Sequence, residues 1–187
     1  MPLKVWNGSS WASAIGLKVW NGSSWVASTA GKVWNGSSWV SFFNSTQVNV
    51  TDQFISASSA GYESAFATAE YGLSNLGNAY IRIDSDSGST QENIPGEWLV
   101  NGNAADVSVK ATILSQSIGN ETYFYGTFDT FLSLSGEHAW GLQSSLGRFD
   151  SQDSSGVTFR IDLVLTSNTS TILDTAEITL SVQTQTA

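Results

Sequence analysis

Lys4-Val5-Trp6-Asn7-Gly8-Ser9-Ser10-Trp11 recurs unchanged as Lys18 to Trp25 and as Lys32 to Trp39, each copy starting 14 residues after the last. Six of the eight tryptophans and three of the four lysines of the chain lie in these copies. Val and Trp favour extended backbone, and Asn-Gly is the strongest short signal for a hairpin turn. Each copy therefore reads as a β-hairpin, in one of two registers. A two-residue Asn-Gly turn pairs Trp6 with Ser9. A four-residue Asn-Gly-Ser-Ser loop sets Trp6 opposite Trp11, Trp20 opposite Trp25 and Trp34 opposite Trp39. The second is preferred, because a cross-strand aromatic pair contributes ~0.5–1.5 kcal/mol beyond its buried area.

A hairpin this short is not stable alone. Its indoles must be buried between hairpins or against a partner. Three units in one chain can pack about a pseudo-threefold axis, or hairpins from several chains can stack in layers around a true symmetry axis. So few residues bury little core, which favours packing against other chains. Trp6, Trp11, Trp20, Trp25, Trp34 and Trp39 are thus the candidate assembly residues, with Lys4, Lys18 and Lys32 beside them. The preferred reading is that the lysines solvate an edge strand; the alternatives are that they meet an acidic partner or lie over a tryptophan face. Ala12 to Leu17 and Val26 to Gly31 read as short returning segments. Val40-Ser41-Phe42-Phe43 is more hydrophobic and is expected to anchor the repeats to the second domain.

Outward from the repeats the charge changes sign. Residues 1–51 hold three lysines and no acid, whereas residues 52–187 hold all 16 acids and four bases, a formal −12. The break sets a boundary, with repeats over 1–45 and a second domain over 46–187. An acidic body argues against nucleic acid as a partner, since phosphate binding needs a basic surface. With no cysteine, disulfides and thiolate metal sites are excluded. No apolar run reaches the length of a membrane span, and no secretory signal pattern opens the chain. Charged residues are only 12% of the total, and Ser, Thr, Asn, Gln and Gly take their place, a composition suited to β-structure with many turns.

The second domain reads as short strands at regular intervals. Strands are expected at 53–57, 79–84, 97–100, 106–114, 123–125, 130–134, 138–142, 157–165 and 171–182. Segment 61–71 fits a helical turn by its Tyr62/Phe66 spacing, but its surroundings favour a strand. Residues 85–93 and 167–170 read as turns, and 183–187 as a polar tail. Val107, Val109, Ala111 and Ile113 share one face, as do Val157, Phe159, Ile161, Leu163 and Leu165. Ile172, Ile178, Leu180 and Val182 are further inward candidates, and Trp98 and Trp140 the large core side chains. The fold class is all-β: a triple hairpin repeat followed by an antiparallel β-sandwich, Ig-like or jelly-roll-like.

Residues able to carry chemistry are few. The single histidine, His138, cannot make a zinc site without further ligands, and it reads as structural. Asp84-Ser85-Asp86-Ser87-Gly88 resembles a calcium loop, but it lacks the third acid and its glycine comes one place early. Asp150 and Asp153 carry the same discount. No nucleophile elbow and no phosphate-binding glycine loop is present. The expectation is a protein that is not an enzyme and needs no cofactor or metal.

The repeat resembles the short Val-Trp-Asn-Gly-Ser-x-Trp hairpin elements of tailed-bacteriophage virion proteins, especially tail fibres and minor tail proteins. Gly96 to Val107, followed by Val109 to Thr112 and by Gly126 to Ser135, is similar to small β-domains of phage structural proteins. Together these stretches cover under half of the chain. The resemblance implies a place in the virion and no catalytic residue. It implies a fibre or tail-tip subunit, a homotrimer bound to other virion proteins. A capsid decoration protein and a carbohydrate-binding module for host surface glycans are the other readings.

Overall fold

The computed structural model describes residues 4–13, 17–28, 30–44, 46–61 and 63–187. Among them are sixteen strands, one 3-10 turn at Ala104–Asp106 and no α-helix. The molecule is all-β, and the chain divides into two units, Met1–Gln47 and Val48–Ala187.

The first unit holds three separate two-stranded antiparallel sheets. They are β1 (Lys4–Trp6) with β2 (Trp11–Ser13), β3 (Leu17–Trp20) with β4 (Trp25–Ser28), and β5 (Ala30–Trp34) with β6 (Trp39–Asn44). The loop is shaped by the asparagine. Asn7 Oδ1 accepts from the amides of Ser9 at 3.0 Å and Ser10 at 2.9 Å, and Asn7 N–H donates to the Ser10 carbonyl at 3.1 Å. Asn21 and Asn35 do the same in the other copies. Gly8, Gly22 and Gly36 sit at φ of 99°, 100° and 101°, a region that a side chain would strain. Four residues therefore form the loop, and Trp6 pairs with Trp11, Trp20 with Trp25 and Trp34 with Trp39. The connections at Ala14 to Gly16 and at Thr29 lie outside the described residues, as do Met1 to Leu3, Ser45 and Tyr62. Val40 to Phe43 fall in β6, and the side chains expected to anchor the repeats there lie outside those described.

The second unit contains β7 (Gln53–Gly61), β8 (Ala65–Leu73), β9 (Ala79–Ser85), β10 (Gly88–Ile94) and β11 (Val107–Ser117). After these come β12 (Thr122–Tyr125), β13 (Leu132–Ser133), β14 (His138–Leu146), β15 (Gln152–Leu165) and β16 (Asn168–Thr186). They form two five-stranded sheets, in the orders β10-β9-β8-β14-β12 and β13-β11-β15-β16-β7. Both sheets contribute to one hydrophobic cluster. Period-two alternation supplies it: Val107, Val109 and Ala111 from β11, Phe159, Ile161 and Leu163 from β15, and Ile178, Leu180 and Val182 from β16 are buried. The facing sheet contributes the small Ala67 and Ala69 beside the large Tyr71, Trp140 and Leu142. Such alternation of size lets the two layers interdigitate.

Several sequence expectations are corrected. The body is not wholly antiparallel, because β16 runs parallel to β7, from Ile178 opposite Gln53 to Thr186 opposite Gly61. These strands lie at the two ends of the unit, so no tight turn dictates their direction. Burial of Ile55 and Ala57 on the face that also buries Leu180 and Val182 sets the register. Residues 88–93, expected in a turn, form β10 together with Ile94. It is an edge strand exposed from Gly88 to Asn93, so it has no apolar alternation to read. Glu97 to Val100 is not a strand. Trp98 sits in a loop at φ 58° and exchanges backbone hydrogen bonds with Asn49 (2.8 and 3.3 Å). Its indole donates to the Ser74 carbonyl at 2.8 Å. Residues 183–186 belong to β16 rather than to a tail, with Thr184 and Thr186 buried. Thr184 pairs with the Ser144 hydroxyl at 3.0 Å, and Thr186 Oγ1 accepts from the Ser151 amide at 3.0 Å. Ile172 is exposed, because register shifts around Val164 turn this part of β16 out of phase with the rest.

Candidate functional site

The repeats are the candidate site, and strand alternation decides what each hairpin displays. Lysine and both tryptophans share one face, and valine takes the other. The two indole centroids lie 5.7 Å apart in the first copy and 5.8 Å in the others, with interplanar angles of 60°, 59° and 59°. The sequence identity of the copies is thus matched by identity of shape: one aromatic clip, made three times.

The clips are open. Trp6, Trp20 and Trp34 are 52%, 56% and 52% exposed, and Trp11, Trp25 and Trp39 are 65%, 66% and 65% exposed. The chain by itself therefore does not bury the indoles between hairpins. Val5, Val19 and Val33 on the opposite faces are also about half exposed. Each hairpin thus shows apolar surface on both sides. Lys18 and Lys32 are exposed on the tryptophan face. Lys4 pairs through its backbone with Ser13, and its side chain is outside those described.

Of the other sequence candidates, His138, Asp86 and Asp153 are tied into the fold. His138 Nε2 donates to the Ser133 carbonyl at 2.9 Å. Asp86 Oδ2 accepts from the Ser59 hydroxyl at 2.6 Å and from the Phe66 amide at 3.1 Å. Asp153 accepts from Thr122 Oγ1 at 2.5 Å. Among the described residues no three His, Cys, Asp or Glu side chains gather in a metal-ligand group.

Two polar groups escaped sequence reading. The first is a row across the outer face of the first sheet, where Tyr125, Gly141, Glu70, Arg82 and Gln91 are successive cross-strand neighbours. Tyr125 O–H donates to Glu70 Oε2 at 2.7 Å, and Arg82 Nη1 lies 3.1 Å from Glu70 Oε1. Arg82 also donates to Gln91 Oε1 from Nε at 3.1 Å and from Nη2 at 2.9 Å. The missing side chain of Gly141 makes room for the tyrosine, since a Cβ there would lie 2.1 Å from Tyr125 Cζ. Gly72 accommodates the Tyr80 ring in the same way, at 2.1 Å. Burial, with a hydrogen bond to a carboxylate, raises both phenol pKa values above their ordinary range. Glycine in the middle of a strand is the only sequence signal such a site offers.

The second group lies where the chain enters the body. Glu97 is buried, and its Oε1 accepts from the Thr51 hydroxyl. Glu97 Oε2 and the buried Tyr71 hydroxyl have no hydrogen-bond partner among the described residues. Burial raises the Glu97 carboxyl above its ordinary pKa, the Thr51 hydrogen bonds oppose the rise, and the Asp174 charge adds to it. The folded protein therefore holds this proton more tightly than the unfolded chain. The stability this contributes is full below the unfolded pKa and is lost as pH rises through the folded one. Glu97→Gln keeps an acceptor for Thr51 and removes the titration. The variant is expected to unfold at higher urea concentration than the native protein at neutral pH, with the difference closing as the pH is lowered. A native protein more stable than the variant at neutral pH would refute this account of Glu97.

No family model and no curated protein matches the chain. Among solved structures, the N-terminal domain of PorA is similar at 14% identity, over 79% of this chain and 92% of that one, with a TM-score of 0.30. A likeness that weak supports no conclusion about fold or function.

Proposed function

We propose that the chain is a non-enzymatic structural subunit of a bacteriophage virion, a fibre or tail-tip component that docks through its N-terminal repeats. The body, a β-sandwich of Ig-like or jelly-roll type, is displayed outward from the particle. One observation carries this reading: three aromatic clips of the same geometry, each more than half exposed. Identical surfaces are complementary to identical partners. Equivalent chains around a symmetry axis supply such partners, each clip forming one layer with its counterparts. The phage assignment rests on the resemblance of the repeats and of Gly96 to Ser135 to virion proteins. Two five-stranded sheets on a shared core support the sandwich.

A homotrimer is the expected form. Light scattering on the purified chain is predicted to return three times the 20.0 kDa of one chain. A monomer over the whole accessible concentration range would refute self-assembly through the repeats.

A further inference from the structure

Across β11, β15, β16 and β7 the register lays two rows of residues on the face turned away from the core. One row is Ser115, Thr158, Thr179 and Phe54, and the next is Ser117, Gly156, Ser181 and Ser56. Val157, Leu180 and Ile55 alternate with them and are buried, which fixes the outward direction of the rows. No charged side chain stands in either row, although the body carries a formal −12. The neighbouring row of this face holds Arg160 and Glu177, and the one beyond it Lys110 and Asp162.

Two features break the flatness of this face. Gly156 leaves a gap between Ser117 and Ser181, and a depression of about 360 Å3 opens there. At the β7 edge it is bounded by Phe54, whose side chain is 73% exposed.

The lining restricts the ligand. An anion would need a cationic partner and a cation a carboxylate, and the rows offer neither. Serine and threonine hydroxyls both donate and accept, as sugar hydroxyls do. An exposed aromatic ring covers the apolar C–H face of a pyranose. With strands about 4.8 Å apart, the row from Ser115 to Phe54 spans roughly 14 Å, room for a short oligosaccharide lying across the strands.

We propose that this depression is a binding site for neutral glycans, with Phe54 stacking on a sugar ring and the flanking hydroxyls meeting its rim. The site is on the body and its test needs no particle, so it stands or falls separately from assembly through the repeats.

The test is titration calorimetry of the full chain with maltohexaose, cellohexaose and chitohexaose. At least one is expected to bind, in the millimolar range. Phe54→Ala should weaken that binding about tenfold, the size of one lost aromatic contact, and Gly156→Thr, which fills the gap, should weaken it by about the same factor. Neither should disturb the thermal transition. Phe54 is exposed, and a Cβ on Gly156 meets only the Leu180 carbonyl oxygen, at 3.7 Å. The proposal is overturned if none of the three sugars binds, or if either variant binds like the native protein. It is also overturned if binding is lost only when the repeat tryptophans are replaced.

Discussion

Joint replacement of Trp6, Trp11, Trp20, Trp25, Trp34 and Trp39 by alanine is expected to turn the assembled protein into a monomer and leave the thermal transition of the body in place. The two halves of this result have separate causes. Every one of these indoles is more than half exposed within its own chain, so its removal opens no cavity there. In the proposed assembly their contribution comes from burial between chains. An indole that loses roughly 100 Å2 of exposed surface contributes about 2.5 kcal/mol. One clip then supplies about 5 kcal/mol and three about 15, against an association cost of about 4–15 kcal/mol. A single clip falls near the lower end of that cost, and three reach its upper end. Three copies are therefore better matched to stable assembly than one. Losing one clip is predicted to weaken assembly, and losing all three to abolish it.

Deletion of residues 1–43 should give the same outcome, a folded body that does not join the particle. Light scattering reads the oligomer, and the fluorescence of Trp98 and Trp140 reads the fold. If the truncated chain still assembled normally, docking through the repeats would be wrong.

Trp140→Ala is expected to do the reverse, lowering the unfolding free energy by about 3–5 kcal/mol in urea denaturation. That is a large share of the roughly 5–15 kcal/mol typical of a domain. Trp140 is fully buried, its ring centroid lies 5.8 Å from that of Phe159, and its Nε1 donates to the Thr127 carbonyl at 2.9 Å. The ring passes so close to Gly126 that a Cβ there would lie 2.3 Å from Trp140 Cδ1. Truncation therefore leaves a cavity and also removes the partner of the Thr127 carbonyl. A loss below about 1 kcal/mol would mean that the core does not depend on this side chain in the way its burial implies.

The repeats were legible because everything that shapes them lies within eight residues. Aromatic pairing favoured the four-residue loop, and Asn7, Asn21 and Asn35 enforce it by bonding both following serine amides. In the body, the first half of β11, β15 and most of β16 were legible because aliphatic residues alternate with polar ones; Ile113, expected inward, is exposed beside the register shift between Ile113 and Ser115. β10 and the end of β16 were not legible. The first is an edge strand exposed over most of its length, and the second turns threonines inward, where hydrogen bonds with Ser144 and Ser151 replace apolar contact. Trp98 was rightly expected in the core and wrongly placed in a strand, because a buried indole can enter the core from a loop whose backbone bonds to Asn49. The Glu70 row and the Phe54 depression had no motif to find, since their members come from strands far apart in the chain.

Local chemistry in this sequence is enough to specify three identical hairpins, an all-β body and its two core tryptophans. Turn hydrogen bonds and period-two alternation act over a few residues and need nothing beyond them. The parallel match of β16 with β7, and the rows assembled across four strands, depend on register between segments more than a hundred residues apart. That register is set by which faces can be buried together, a condition that exists only once the two sheets meet.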